Sequence, residues 1–355
     1  MIAKLLPNRV RRTYLGGGRI DAFTGGSRLS RLSTGETPVV PVEMSMPEDW
    51  MASTTTAFNG TLEIEGEGLG RLEDGRLVKD VVGTLPILVK LLDSDERLVI
   101  QAHPTVPCAK RLFNSPVGKT ECWYFLPGTA PDACVYLGFK PGITRAAWEE
   151  AFWGGLRSCA AETDGGGSRS CATEKTDAQE RVPPELLSFL HCIPVKAGDF
   201  VFVDGGMPHA IGGGCFMIEL QEPSDLMVVA ERVTPSGRRI PDGKIFGSLD
   251  QEGMLDMYVY TGWTFDEVCA KYVRRRSGGD GPVCRILGAE QTDKFEMWRL
   301  RGDAAQSLDG ARAVAVVTSG AGVVCGQPVK AGDRFVVWGE PEISVQGDAE
   351  IVLCK

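Results

Sequence analysis

From Leu85 onward, short apolar runs alternate with Pro and Gly punctuation. LPILVKLLD (85–93), RLVIQAHP (97–104), TECWYFL (120–126) and ACVYLGF (133–139) are β-branched or aromatic and too short for helices, so they predict strands. A different period follows in ITRAAWEEAFWGGL (143–156), where Trp148, Ala151, Phe152 and Leu156 recur at helical spacing and predict one amphipathic helix. Residues 158–177 are small, polar and Gly-rich without period, and predict a mobile loop before a short helix in PPELLSFLHC (183–192). The pattern therefore reads as a helical insertion within a β domain.

The chain also repeats itself. VKAGDFVFVDGG (195–206) returns as VKAGDRFVVWGE (329–340), an offset of 329 − 195 = 134 residues. Each copy gives a strand, a Gly-Asp turn, a second strand and a further β segment, as two small stacked barrels or jelly rolls require. At that offset His209 corresponds to Ile343 and Glu219 to Leu353, so polar chemistry belongs to the first copy alone. The expected division is a first barrel part over 1–140, a helical insertion over 141–193, the rest of the first barrel over 194–240, and a degenerate second barrel over 241–355.

Composition narrows the function. The 355 residues are 43% hydrophobic and 24% charged, which suits a folded globular protein rather than a disordered chain. A net charge of −9 provides no global positive field for nucleic acid or an anionic membrane, so an anionic substrate needs local cations. No run reaches the length of a membrane span, and MIAKLLPNRVRR lacks the apolar stretch of a secretory signal. With 11 cysteines, an odd number without C-x-x-C spacing, the expectation is reduced thiols and a cytoplasmic address.

Only three histidines are present: His103, His191 and His209. His191 ends the short apolar helix and reads as a structural or capping residue. His103 lies two residues after Gln101, so both side chains leave one face of an apolar strand and need partners. Glu121 opens the next strand, and His209 follows a tight G-G-M-P turn. An amide oxygen, a carboxylate and two imidazoles from three strands suit a divalent metal with open positions, zinc first. A hydrogen-bonded polar layer inside the barrel fits the same residues. Two strings are set aside: VGKTE (117–121) lacks the first Gly of a phosphate loop, which Phe113 replaces, and Gly212-Gly213-Gly214 reads as a hairpin turn.

Taken together, QAHP (101–104), GKTECWY (118–124), GDFVFVDGGMPHAIG (198–212) and IELQEPSD (218–225) resemble type I phosphomannose isomerases, the zinc-dependent cupin enzymes, in order and spacing. LPILVKLLD and PEDWMAST (47–54) extend the resemblance over about residues 40–240. It implies a mainly β fold of two cupin-type jelly-roll barrels with a small helical insertion, and one zinc held by Gln101, His103, Glu121 and His209. It further implies Lys119 near the metal and Glu219 lining a pocket; Lys119 and Glu121, two apart, share a strand face. The substrate would be a sugar phosphate, and the reaction an aldose-ketose isomerisation of mannose 6-phosphate and fructose 6-phosphate.

One departure stands out. The family carries an arginine four residues after the Asp of the SD pair, where this chain has Val229. Arg232 is the nearest replacement, and a solvated surface charge is its other reading. Lys90, Lys119, Arg232 and Arg238 are the expected phosphate cations. Three rival readings remain: an inactive sugar-phosphate-binding cupin, a metal cupin acting on another substrate, and a purely structural two-barrel protein.

Overall fold

The computed structural model describes residues 1–25, 45–59, 64–161, 184–276 and 281–355. The first strands in chain order are β1 (Ile2–Lys4), β2 (Arg9–Arg12), β3 (Ser45–Met51), β4 (Leu88–Ser94), β5 (Gln101–Ala102) and β6 (Glu121–Phe125). There follow β7 (Cys134–Phe139), β8 (Leu190–Pro194), β9 (Phe200–Val203), β10 (His209–Ile211), β11 (Cys215–Gln221), β12 (Val228–Val229) and β13 (Val273–Arg274). The C-terminal strands are β14 (Val283–Leu287), β15 (Met297–Arg301), β16 (Ala304–Ser307), β17 (Ala313–Ser319), β18 (Ala321–Val324), β19 (Gln327–Lys330), β20 (Arg334–Val337), β21 (Glu342–Gly347) and β22 (Glu350–Cys354).

Four antiparallel sheets arise in two pairs. One pair runs β13-β9-β6-β11-β4-β3-β2 and β12-β5-β10-β7-β8, and the other β1-β20-β17-β22-β15-β14 and β16-β21-β18-β19. The shared orders β9-β6-β11-β4 and β20-β17-β22-β15, with β5-β10-β7-β8 and β16-β21-β18-β19, are the same barrel built twice. The repeat holds at atomic register, because β9 shifted by 134 residues falls on β20. Ile343 and Leu353, the counterparts of His209 and Glu219, are fully buried in the apolar core of the second barrel. The expected mainly β fold with two jelly-roll barrels is what the chain adopts.

Several local expectations change. β1 pairs with β20, so the N-terminus belongs to the second barrel, and β13 pairs with β9, so the first barrel extends to Arg274. Residues 241–272, expected within the second barrel, form short helices at Asp242–Ile245, Gln251–Leu255 and Phe265–Tyr272. The last begins with a capping box, Thr264 to Glu267, a T-x-x-E signal present in the sequence. His191 is not at a helix end: the helix stops at Ser188, and His191 sits on β8 opposite Leu137, its Nε2 2.7 Å from the Trp263 carbonyl oxygen. Its role is structural, as a tie to the segment before that helix. The amphipathic helix forms over Arg145–Ala161 and buries Trp148, Ala151 and Phe152. The loop expected over 158–177 lies outside the described residues beyond Ala161.

Candidate metal centre

The site is assembled by strand pairing in the first barrel. Because side chains alternate along a strand, Glu121, Trp123 and Phe125 of β6 share a face with Met217, Glu219 and Gln221 of β11 and with Leu88, Lys90 and Leu92 of β4. Register places Glu219 directly between Lys90 and Trp123, and Gln221 beside Glu121. On the other sheet, Gln101 faces His209 across β5 and β10. Backbone bonds knit the connecting segments together. Gly206 N–H donates to the His103 carbonyl (2.6 Å) and Lys119 N–H to the Pro104 carbonyl (3.0 Å).

His103, Glu121 and His209 converge with ligand atoms all within 4.8 Å of one another. His103 Nε2 lies 3.1 Å from one Glu121 oxygen, and His209 Nε2 lies 3.4 Å from the other. Ligands around a tetrahedral ion about 2.1 Å away are spaced about 3.4 Å apart, so these separations suit a shared cation. The outer nitrogens are anchored: His103 Nδ1 faces the Leu226 carbonyl at 3.1 Å and His209 Nδ1 the Met207 carbonyl at 2.8 Å. Donation from Nδ1 to a carbonyl leaves Nε2 as a lone pair, the arrangement found behind metal-bound imidazoles. Both Glu121 oxygens and His209 Nε2 are buried without a hydrogen bond. One Glu121 oxygen is ion-paired with the Lys119 ammonium, yet none of the three acceptors has a hydrogen bond, and a divalent cation is a group that would satisfy all three together.

Electrostatics favours the same form. Burial, reinforced by the Lys119 ammonium, takes His103 down to about 3, and burial lowers His209 as well, so both imidazoles are neutral, the form a metal requires. Burial opposes the Glu121 carboxylate, but the adjacent Lys119 ammonium together with the His103 and His209 rings outweighs it and holds the group well below the usual carboxylate range. Lys119 Nζ is 2.8 Å from His103 Nε2 and 3.2 Å from Glu121. Glu222 secures the peptide around Lys119, accepting from Thr120 N–H at 2.9 Å and Gly118 N–H at 3.3 Å.

A cavity adjoins the cluster through Gln101 and Lys119 and is lined by Glu219, Lys90, Glu48 and Val229 among others. Glu219 is at once pocket-lining and buried, paired with Lys90 at 2.6 Å. Burial lifts its carboxyl, the Lys90 ammonium pulls it back in part, and like charge on Glu121 adds to the rise. Glu48 accepts from Tyr14 and from the Trp50 indole, each at 2.6 Å, and pairs with Arg12 at 3.1 Å.

Gln101, His103, Glu121, His209, Lys119 and Glu219 are therefore brought together, and Arg232 is not. Its guanidinium packs over Phe152, Trp153 and Phe246 and meets Asp242 at 3.1 Å, outside the cavity lining. Of the other expected cations, Lys90 lines the cavity and Arg238 is drawn to Glu96. Arg12, Arg97 and Lys244, which sequence reasoning did not single out, line it instead. Arg12 lies in the basic run RVRR, whose alternation is a weak strand signal. Val229 does face the cavity, opposite Gln101.

No family model matches the chain. Mannose-6-phosphate isomerase ManA of Bacillus subtilis is 29% identical over 168 residues, 45% of this chain and 40% of that protein. Mannose-6-phosphate isomerase of Streptococcus mutans is 32% identical over 39% of this chain and 34% of its own length. The chain thus matches well under half the length of these two relatives. Probable mannose-6-phosphate isomerase GmuF of Bacillus subtilis matches further, 26% identical over 76% of this chain and 74% of its own. The fold of a solved mannose 6-phosphate isomerase from Bacillus subtilis superposes over 100% of this chain and 99% of its own, with TM-score 0.66 and 18% identity. A variant of phosphomannose isomerase from Salmonella typhimurium gives TM-score 0.65 and 13% identity over 99% and 98%. The resemblance to type I phosphomannose isomerases is carried by sequence relatives and by the fold of both barrels.

Proposed function

We propose that this chain is a type I phosphomannose isomerase, interconverting mannose 6-phosphate and fructose 6-phosphate with one zinc ion held by Gln101, His103, Glu121 and His209. The observation that carries the reading is the buried His-Glu-His cluster with unsatisfied acceptors, set against a cation-lined cavity in the first barrel. The names of the sequence relatives support the substrate. When bound, zinc supplies Lewis-acid stabilisation of the negative charge that develops on the substrate oxygens.

The remaining steps belong to the protein. Isomerisation removes a proton from carbon 2 of the aldose, passes through an enediol, and returns a proton to carbon 1. Glu219 is our candidate to carry that proton: it lines the cavity, whereas Glu48 is engaged by Tyr14, Trp50 and Arg12, Asp225 by Arg12, and Glu121 faces the imidazoles. Lys90 orients Glu219 by direct pairing. Lys119, pinned by its clamped peptide, presents an ammonium to a developing enediolate oxygen. The nine described cysteines are free thiols, which suits a reducing compartment and the cytoplasmic address we propose.

Val229 at the cavity wall favours one second reading, a sugar-phosphate-binding cupin without turnover. A deuterium experiment separates them. In heavy water, zinc-loaded protein should convert mannose 6-phosphate to fructose 6-phosphate and incorporate solvent deuterium, and His209→Ala should lose at least ~100-fold of this. Binding of the sugar phosphate without deuterium incorporation in the wild type would replace the isomerase with the binding protein.

A further inference from the structure

Five cations line the cavity, and four are committed. Arg12 pairs with Glu48 and Asp225, Lys90 with Glu219, Arg97 with Glu231, and Lys119 with Glu121. Among the described residues Lys244 makes no ion pair: its ammonium contacts only neutral oxygens, the Phe58 carbonyl and Asn59 Oδ1, and lies 5.0 Å over the Phe58 ring. It reaches the cavity from the short helix Asp242–Ile245, which packs against β12. A half-buried ammonium facing a cavity with no carboxylate paired directly to it among the described residues is open to an anion. Burial, and then the Arg12 charge, pull Lys244 down to about 8, with Asp225, Glu48 and Glu67 opposing; an incoming dianion would push it back up.

We propose that Lys244 is the residue that selects the phosphorylated sugar, receiving the phosphate dianion while the reacting carbons lie at the Gln101 and Lys119 end. The inference rests on the sugar-phosphate reading and deepens it. In an aldohexose 6-phosphate the reacting carbons 1 and 2 and the phosphate are at opposite ends of the chain, so one cavity must offer two different chemistries. Here Arg12, Lys90 and Arg97 hold carboxylates in place, Lys119 sits at the Glu121 end with the reacting carbons, and Lys244 is left to answer the phosphate. The helix that carries it is separate from every strand bearing a candidate metal ligand, so phosphate recognition is separable from metal binding.

The test is Lys244→Ala with Lys244→Arg as its charge-conserving partner, both checked for wild-type zinc content and thermal midpoint. The expected result is a KM for mannose 6-phosphate raised on the order of 10- to 100-fold in Lys244→Ala with kcat changed less than about threefold, and substantial recovery in Lys244→Arg. Phosphorus NMR titration with inorganic phosphate gives an arm independent of turnover: wild type and Lys244→Arg should bind it, and Lys244→Ala more weakly by a similar factor. An unchanged KM, or equal phosphate binding in wild type and Lys244→Ala, would overturn the assignment. If the wild type does not isomerise, the phosphate arm still decides the role of Lys244, while the isomerase reading fails on its own.

Discussion

At Glu48 a single buried carboxylate neutralises Arg12, lies 3.8 Å from Lys90, and accepts from Tyr14 and Trp50. Burial pushes its carboxyl up, but Arg12, Lys90 and the two hydrogen bonds more than reverse this and hold it far below the ordinary value. A depressed folded pKa contributes stability that is fully present above the unfolded value near 4.5 and drains away as pH falls through the folded one. Glu48→Gln should therefore cost about 3–5 kcal/mol near pH 7, as broken buried pairs do. The gap to wild type should narrow as pH drops from about 5 to 3, as the wild type loses the contribution that the variant never had. Urea melts at pH 7, 5 and 3 check this; parallel pH slopes would show that Glu48 is not held low. The metal cluster was legible at this scale because Q-x-H, a strand-opening Glu and P-H are scarce polar residues in apolar strands. Arg12, Glu48 and Lys244 were not, since each comes from a segment distant in sequence and only the fold places it at the cavity.

Among the elements, the turn after His103 is a tight joint next to the site. A Cβ on Gly118 would stand 2.7 Å from the Pro104 carbonyl oxygen and 2.9 Å from Val106 N. On the other side, a Cβ on Gly205 would stand 2.9 Å from that same carbonyl oxygen and from Thr105 Cα. These glycines let the peptides beside Lys119 and His209 lie flat on the His103 segment, and backbone cannot yield as a side-chain tip does. Gly118→Ala should destabilise by about 1–3 kcal/mol and weaken metal retention against a chelator, read by denaturant melts and timed zinc release. A variant that melts and releases zinc like the wild type would mean the joint is slack. The strands were readable from alternation and punctuation, and β4, β6 and β7 emerge close to where the apolar runs end. Helices were harder: Val106–Phe113 has a Thr105 cap and an early Pro but only two fully buried positions, so its apolar stripe is faint. His191 was misplaced because the run LLSFLHC crosses from helix to strand at Phe189 without a Gly or Pro to mark the change.

For the molecule as a whole, duplication separates scaffold from chemistry. The same strand order recurs, yet the second barrel fills the positions of His209 and Glu219 with Ile343 and Leu353 and closes as an apolar core. The two barrels are stitched rather than strung: β1 completes the second barrel's sheet, and Asp49 of β3 is hydrogen-bonded to Arg334 of β20. The repeat revealed two barrels, whereas their exact boundaries were illegible because a three-residue strand such as Ile2–Lys4 carries no periodic signal of its own. What the architecture isolates is one buried cluster of two imidazoles and a carboxylate. Metal content of wild type and Glu121→Gln, each measured by mass spectrometry after zinc loading and desalting, therefore bears most directly on the account. It predicts one zinc per wild-type chain, retained together with isomerase activity, and less than about a tenth of that in the folded variant. Full zinc in Glu121→Gln, or wild-type turnover that persists after complete zinc removal, would contradict it.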